Sequence, residues 1–76
     1  MGVTLGSLDR QRKAAQARAR WLVIAVDAVD GVEPQTQVER RAREVVRQSL
    51  VGQLNVTRKD AERHDRAYKK KVADAS

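Results

Sequence analysis

A chain of 76 residues with a formal net charge of +6 has room for one small domain, and 34% of its residues are charged. It has no cysteine and no phenylalanine, with Trp21 and Tyr68 as its only aromatic side chains. This excludes disulfides, thiolate metal sites and a large aromatic core. A domain of this size buries only about 60% of its unfolded surface, so a homodimer or a docked subunit is expected. The longest apolar run, Trp21 to Val26, is far short of the roughly 20 residues of a spanning helix. The N-terminus has no signal-peptide layout. The expectation is a soluble cytoplasmic protein with no membrane partner.

Residues 1–6 read as a flexible leader and residues 7–76 as a single small helical domain. Ser7 can cap a first helix, with Asp9 close to its positive end. Leu8, Ala15, Ala19, Leu22, Val26 and Val29 fall at spacings of seven, four, three, four and three, with Arg12 bridging the first gap. That periodicity predicts a helix over about 7–29. Its later part, Trp21 to Val26, is apolar all round. A buried strand is the rival reading of so short a run, and helix is favoured because the Ala-rich segment before it carries no turn signal. Such a helix needs cover on more than one side, which points to an oligomer interface formed by Trp21, Leu22, Ile24, Val26 and Val29.

Asp30 and Gly31 end this element, and Pro34 delays re-entry into helix. Thr36 or Gln35 then opens a second helix over about 36–53. Its inner face would carry Val38, Ala42, Val45, Val46, Leu50 and Leu54, and its outer face Arg40, Arg41, Arg43 and Arg47. Gly52 marks its expected end, since glycine inside a helix costs about 1 kcal/mol relative to alanine. A third helix is predicted over about 57–73, with Thr57 and Asp60 in the Thr-x-x-Asp spacing of a helix start and Ala61, His64, Tyr68 and Val72 inward. The expected fold is all-α: three helices in a small dimeric bundle.

Nothing in the chain reads as catalytic. His64 is the sole histidine and has no cysteine to join it at a zinc site, and Ser7, Ser49 and Ser76 have no base nearby in sequence. No enzyme activity, cofactor, metal or small-molecule substrate is expected. Asp27, Asp30 and Glu33 lack the alternating ligands of a calcium loop, and read as a polar helix exit or an acidic docking face for a basic surface. Charge is uneven: residues 8–20 carry five cations against Asp9, residues 21–35 only three acids, and residues 56–76 seven cations against four acids. Glu39 with Arg43, Glu62 with Arg66 and Asp65 with Lys69 stand four apart, and Glu44 with Arg47 three apart, so helix-stabilising pairs absorb part of this. The cationic remainder lies on the third helix and the first half of helix one, which suits a polyanion.

Leu54-Asn55-Val56-Thr57-Arg58-Lys59-Asp60-Ala61-Glu62-Arg63 resembles the turn and recognition-helix start of helix-turn-helix proteins, where Leu-Gly-Val-Ser/Thr-Arg-x-x-Val-x-Arg is a common form. Asn55 stands at the usual glycine and Ala61 at the usual valine. The resemblance covers about ten residues and implies a DNA-binding protein, a transcriptional regulator or DNA-processing accessory factor of a bacterium, phage or other mobile element. Thr57, Arg58, Lys59, Glu62 and Arg63 would then reach base edges, and Arg66, Lys69 and Lys70 phosphates. The alternative is a protein–protein adaptor, inhibitor or assembly subunit that uses the apolar Trp21–Val29 surface.

Overall fold

The computed structural model describes residues 4–75. It contains two α-helices, α1 (Leu5–Asp30) and α2 (Gln37–Ala75), joined by a six-residue connector and packed antiparallel. The chain is all-helical as expected, but the three-helix bundle is not formed: the second and third predicted helices are one continuous helix of 39 residues. At 1.5 Å per residue α2 is about 58 Å long, and it sets the 59 Å long dimension of an 18 × 15 Å rod. The radius of gyration, 17.3 Å, is well above the roughly 11 Å of a globule of this length.

Both helix starts are capped by threonine. Thr4 Oγ1 accepts from the Ser7 amide at 3.1 Å, so α1 begins ahead of the Ser7 cap read from the sequence. Leu5 and Gly6 of the expected leader are helical, and residues 1–3 lie outside the described residues. At α2, Thr36 Oγ1 accepts from the Glu39 amide at 3.1 Å, while Glu39 Oε2 accepts from the amides of Thr36 at 3.2 Å and Gln35 at 2.7 Å. This reciprocal capping box satisfies donors that the helix start would otherwise leave open.

The seam between the helices has a period of 3.5 residues. On α1 it runs Leu8, Arg12, Ala15, Ala19, Leu22, Val26 and Val29, and on α2 Leu50, Leu54, Thr57, Ala61, His64 and Tyr68, all of them buried or half-buried. Spacings alternating between four and three keep one stripe of each helix turned to the other, as in a coiled coil. The seam is thin. Among the described residues only Ala15, Leu54 and Thr57 are buried, and no side chain is wholly enclosed. Val38, Val45 and Val46, expected inside, are exposed.

This seam explains why the chain does not turn at 52–57. A break would relieve the poor helix propensities of Gly52 and Asn55, worth about 1 kcal/mol or less each. It would also throw Thr57, Ala61, His64 and Tyr68 out of register with Leu50 and Leu54. No proline interrupts residues 36–76, and no described residue has a positive φ, so Asn55 makes no left-handed turn.

Ionic clamps close the two ends of the seam. At the connector end, Arg43 donates from Nε to Val29 O at 3.1 Å and from Nη2 to Asp30 O at 3.0 Å, and Arg47 Nε donates to Asp30 Oδ1 at 2.7 Å. A guanidinium on the last carbonyls of α1 answers the negative end of that helix. Arg43 was expected on an outer face, and the expected Glu39–Arg43 and Glu44–Arg47 pairs give way to these contacts. At the open end the Arg12 guanidinium lies 4.2 Å from the centroid of the Tyr68 ring. It bridges Asp9 at 2.6 Å and Asp65 at 3.4 Å, while Lys13 and Lys69 hold the outer oxygens of the same two carboxylates at 3.0 and 2.9 Å. Arg12 Nε is buried without a hydrogen-bond partner among the described residues.

Two outcomes are expected. Arg43→Ala should lower hairpin stability by about 1–2 kcal/mol, because it strips two charge-assisted bonds from the α1 terminus, whereas exposed Arg41→Ala should change it little; thermal melts followed by circular dichroism compare them. The second concerns pH. Asp9 is held below the ordinary carboxylate range chiefly by its hydrogen bond from Arg12, and Asp65 chiefly by that from Lys69. With the folded value below the unfolded one, their stabilisation is complete above the ordinary value of 3.8 and is lost as pH falls through the lower, folded values. The melting temperature should therefore hold steady down to about pH 5 and decline below it, with a shallower decline in Asp65→Asn.

Candidate nucleic-acid interface

Antiparallel packing sets the basic start of α1 beside the basic end of α2. Residues 5–20 carry five cations against one acid, and residues 56–75 seven against four, so the open half of the rod holds seven net positive charges. The connector half, residues 21–55, has four cations and five acids and is close to neutral. Folding thus turns a basic–acidic–basic sequence into a rod with one strongly positive half.

On α2, Arg58, Lys59, Glu62, Arg63, Arg66, Lys69 and Lys70 are all exposed. At 100° per residue they fall within an arc of about 140° turned away from the seam. Lys59, Arg63 and Arg66, one or two turns apart, line a shallow open groove together with Asp60 and Glu62. Asp60 pairs with Arg63 and Asp65 with Lys69. Arg58, Lys59, Arg66, Lys70 and Lys71 have no carboxylate within ion-pair distance among the described residues, so the expected Glu62–Arg66 pair is not made. On α1, Arg10, Arg18 and Arg20 are likewise exposed without such a partner among the described residues.

Thr57 departs from its assigned place. It is 7% exposed and sits in the seam, so it neither caps a helix nor reaches a ligand. The positive end of the α2 dipole lies at Gln37, about 31 Å from Arg58, and the helix N-terminus in the basic half is that of α1, at Leu5. Six of the seven remaining predicted contact residues are cations on one outward face, and Glu62 opposes them.

The five residues assigned to an oligomer interface are divided between two faces. Leu22, Val26 and Val29 are half-buried in the seam with α2 of the same chain, whereas Trp21 is 69% and Ile24 50% exposed. Asp30, read as part of an acidic docking face, meets its basic surface in Arg43 and Arg47 of α2. Sequence reading missed the run Gln48–Thr57, ten residues without a charge in a chain that is 34% charged; its signal is that composition.

No helix among the described residues is long and apolar enough to cross a membrane. No protein-family model, curated protein or solved structure matches the chain.

A seam position and a helix cap respond differently to one substitution. Thr57→Val should leave the melting temperature unchanged or slightly higher, because a buried seam favours the apolar isostere. A cap at this position would instead lose about 1 kcal/mol. Chemical denaturation of the two proteins measures the difference.

Proposed function

We propose that this protein binds duplex DNA through its phosphate backbone, with the basic open half of the hairpin as the contact surface. One observation carries the reading: antiparallel packing concentrates seven net positive charges over residues 5–20 and 56–75, with Arg58, Lys59, Arg66 and Lys70 exposed on one outward arc of α2. Clustered cations on a rigid helix release counterions from a duplex and bind it with little regard to sequence. The hairpin is 18 × 15 Å in section, too broad to enter a major groove about 12 Å wide. Contact is therefore made by one face of α2 along the phosphates, with α1 behind it. A duplex fits better than a single strand, which is held by stacking on exposed aromatic rings beside cations, because the Tyr68 ring in the basic half is covered by Arg12 and the exposed Trp21 lies in the neutral half. Reading of base edges by Arg58 or Arg63 is not part of this proposal, since it rested on a helix start that α2 does not have.

The protein–protein reading is favoured by a different observation, the exposed Trp21 and Ile24 in the neutral half. Salt dependence separates the two. If about six phosphates are neutralised, affinity for a random duplex should fall on the order of a thousandfold between 50 and 200 mM salt. Replacing Arg58, Lys59 and Arg66 together by alanine should reduce the slope of log affinity against log salt by about 2–3, with helicity unchanged. Fluorescence anisotropy on labelled duplexes reads both. A flat salt response in the parent protein, or an unaltered slope in the triple variant, would rule out the DNA reading and leave the adaptor.

A further inference from the structure

We propose that the middle of the rod is the seat of a second copy of this chain, packed antiparallel so that the two basic halves point away from each other. The inference does not depend on DNA binding. Trp21–Val26 and Gln48–Thr57 both lack charge, and the hairpin sets them side by side: Leu22 shares one surface groove with Ser49, Gly52, Gln53 and Val56, and Arg18 is the one charged residue that lines it. The result is a charge-poor girdle in the middle of a rod on which Val32, Val38, Val45, Val46 and Val72 are exposed as well. Trp21, Ile24 and Val56, at 69%, 50% and 61% exposure, stand out from it. An exposed apolar region within a polar surround marks an association surface.

Area and glycine chemistry point the same way. The accessible surface is 6076 Å², whereas a folded monomer of 8.5 kDa exposes about 4,650 Å². The excess, about 1,400 Å², is more than the roughly 800 Å² that each partner buries in a stable complex. Gly52 lies in the girdle within α2, where an added Cβ would meet nothing within 4 Å and its φ is not positive. Neither packing nor backbone conformation within the hairpin asks for glycine there, and glycine is a poor helix former. Close approach by the backbone of another chain does use it.

Charge selects the occupant and its direction. A twofold interface sets one patch against itself, and in a patch whose groove holds Arg18 as its one charged residue any like-charge clash is confined to that side chain. With a single cation, the patch also offers little to attract a strongly acidic or basic foreign surface. Two parallel copies would set seven net positive charges beside seven more, while an antiparallel pair overlapping at the girdle keeps them apart.

Sedimentation of the full chain across a concentration series tests the assembly. The parent should show a species of twice 8.5 kDa, and Gly52→Lys, for which the hairpin has room, should keep its helicity and dissociate at least tenfold more readily. Trp21→Lys should behave likewise. A parent that stays monomeric at about 100 μM, a Gly52→Lys protein that dimerises like the parent, or a parent that forms larger species would overturn the proposal; monomer alone would assign the girdle to a foreign protein. The chain has no cysteine, so Asp74→Cys carries a single spin label. In the antiparallel pair the labels lie about 66 Å apart, from 22 residues of helix on each side of Gly52. A distance below about 30 Å, the parallel arrangement, would refute it.

Discussion

The packing of Ala15 and its neighbours on α1 against Leu54 and Thr57 on α2 is the contact on which the rest of this molecule depends. It holds two helices in a 3.5-residue register and decides that residues 37–75 form one helix. It also brings the two basic segments together. Yet it is built from alanine, valine, threonine and a few leucines, with no side chain wholly enclosed among the described residues. A contact this thin needs help at its ends, and the arginines supply it.

Those arginines do work that composition alone would assign to a ligand. Arg43 and Arg47 close the connector end on Asp30 and the last carbonyls of α1. Arg12 closes the open end between Asp9, Asp65 and the ring of Tyr68. Each such pair is modest at an exposed surface, but together they bracket the seam and fix the hairpin's register. Outside the clamps, Arg58, Lys59, Arg66, Lys70 and Lys71 with Arg10, Arg18 and Arg20 make no ion pair among the described residues. The molecule thus divides along its length into a clamped connector half near neutrality, a charge-poor girdle and a positive open half. A pair of copies joined at the girdle would present two such positive ends.

Two Thr-x-x-acid sequences competed to mark a helix start, and their difference is instructive. Thr36-x-x-Glu39 follows Pro34 and a loop, where amides need partners, and it forms a full capping box. Thr57-x-x-Asp60 has the same spacing, but Leu50, Leu54, Ala61 and His64 continue the four–three alternation on either side of it. Burial on that stripe outweighs Gly52 and Asn55, and Asp60 turns to Arg63 instead. Local signals at Gly52, Asn55 and Thr57 are overridden where an unbroken stripe runs through them. The heptad spacing on α1 was legible from Leu8 to Val29; its counterpart on α2 was hidden because threonine and histidine fill two of its positions.

Helical character, the connector around Gly31 to Thr36 and the segregation of charge into basic, acidic and basic stretches follow from the sequence alone. They depend on propensity, capping and composition, which act over a few residues. So does the exposure of the cations on the outward arc of α2, since a 3.6-residue helix sets their direction once its seam stripe is known. Only the tertiary structure decided that two predicted helices are one, that Thr57 is a seam residue and that Trp21 and Leu22, adjacent in sequence, face opposite environments. It alone joined residues 5–20 to residues 56–75 as one positive surface. These outcomes turn on which stripe of each helix meets the other across as many as 53 residues of chain, and that choice rests on summed burial along the whole seam, to which no single residue's propensity contributes more than a small share.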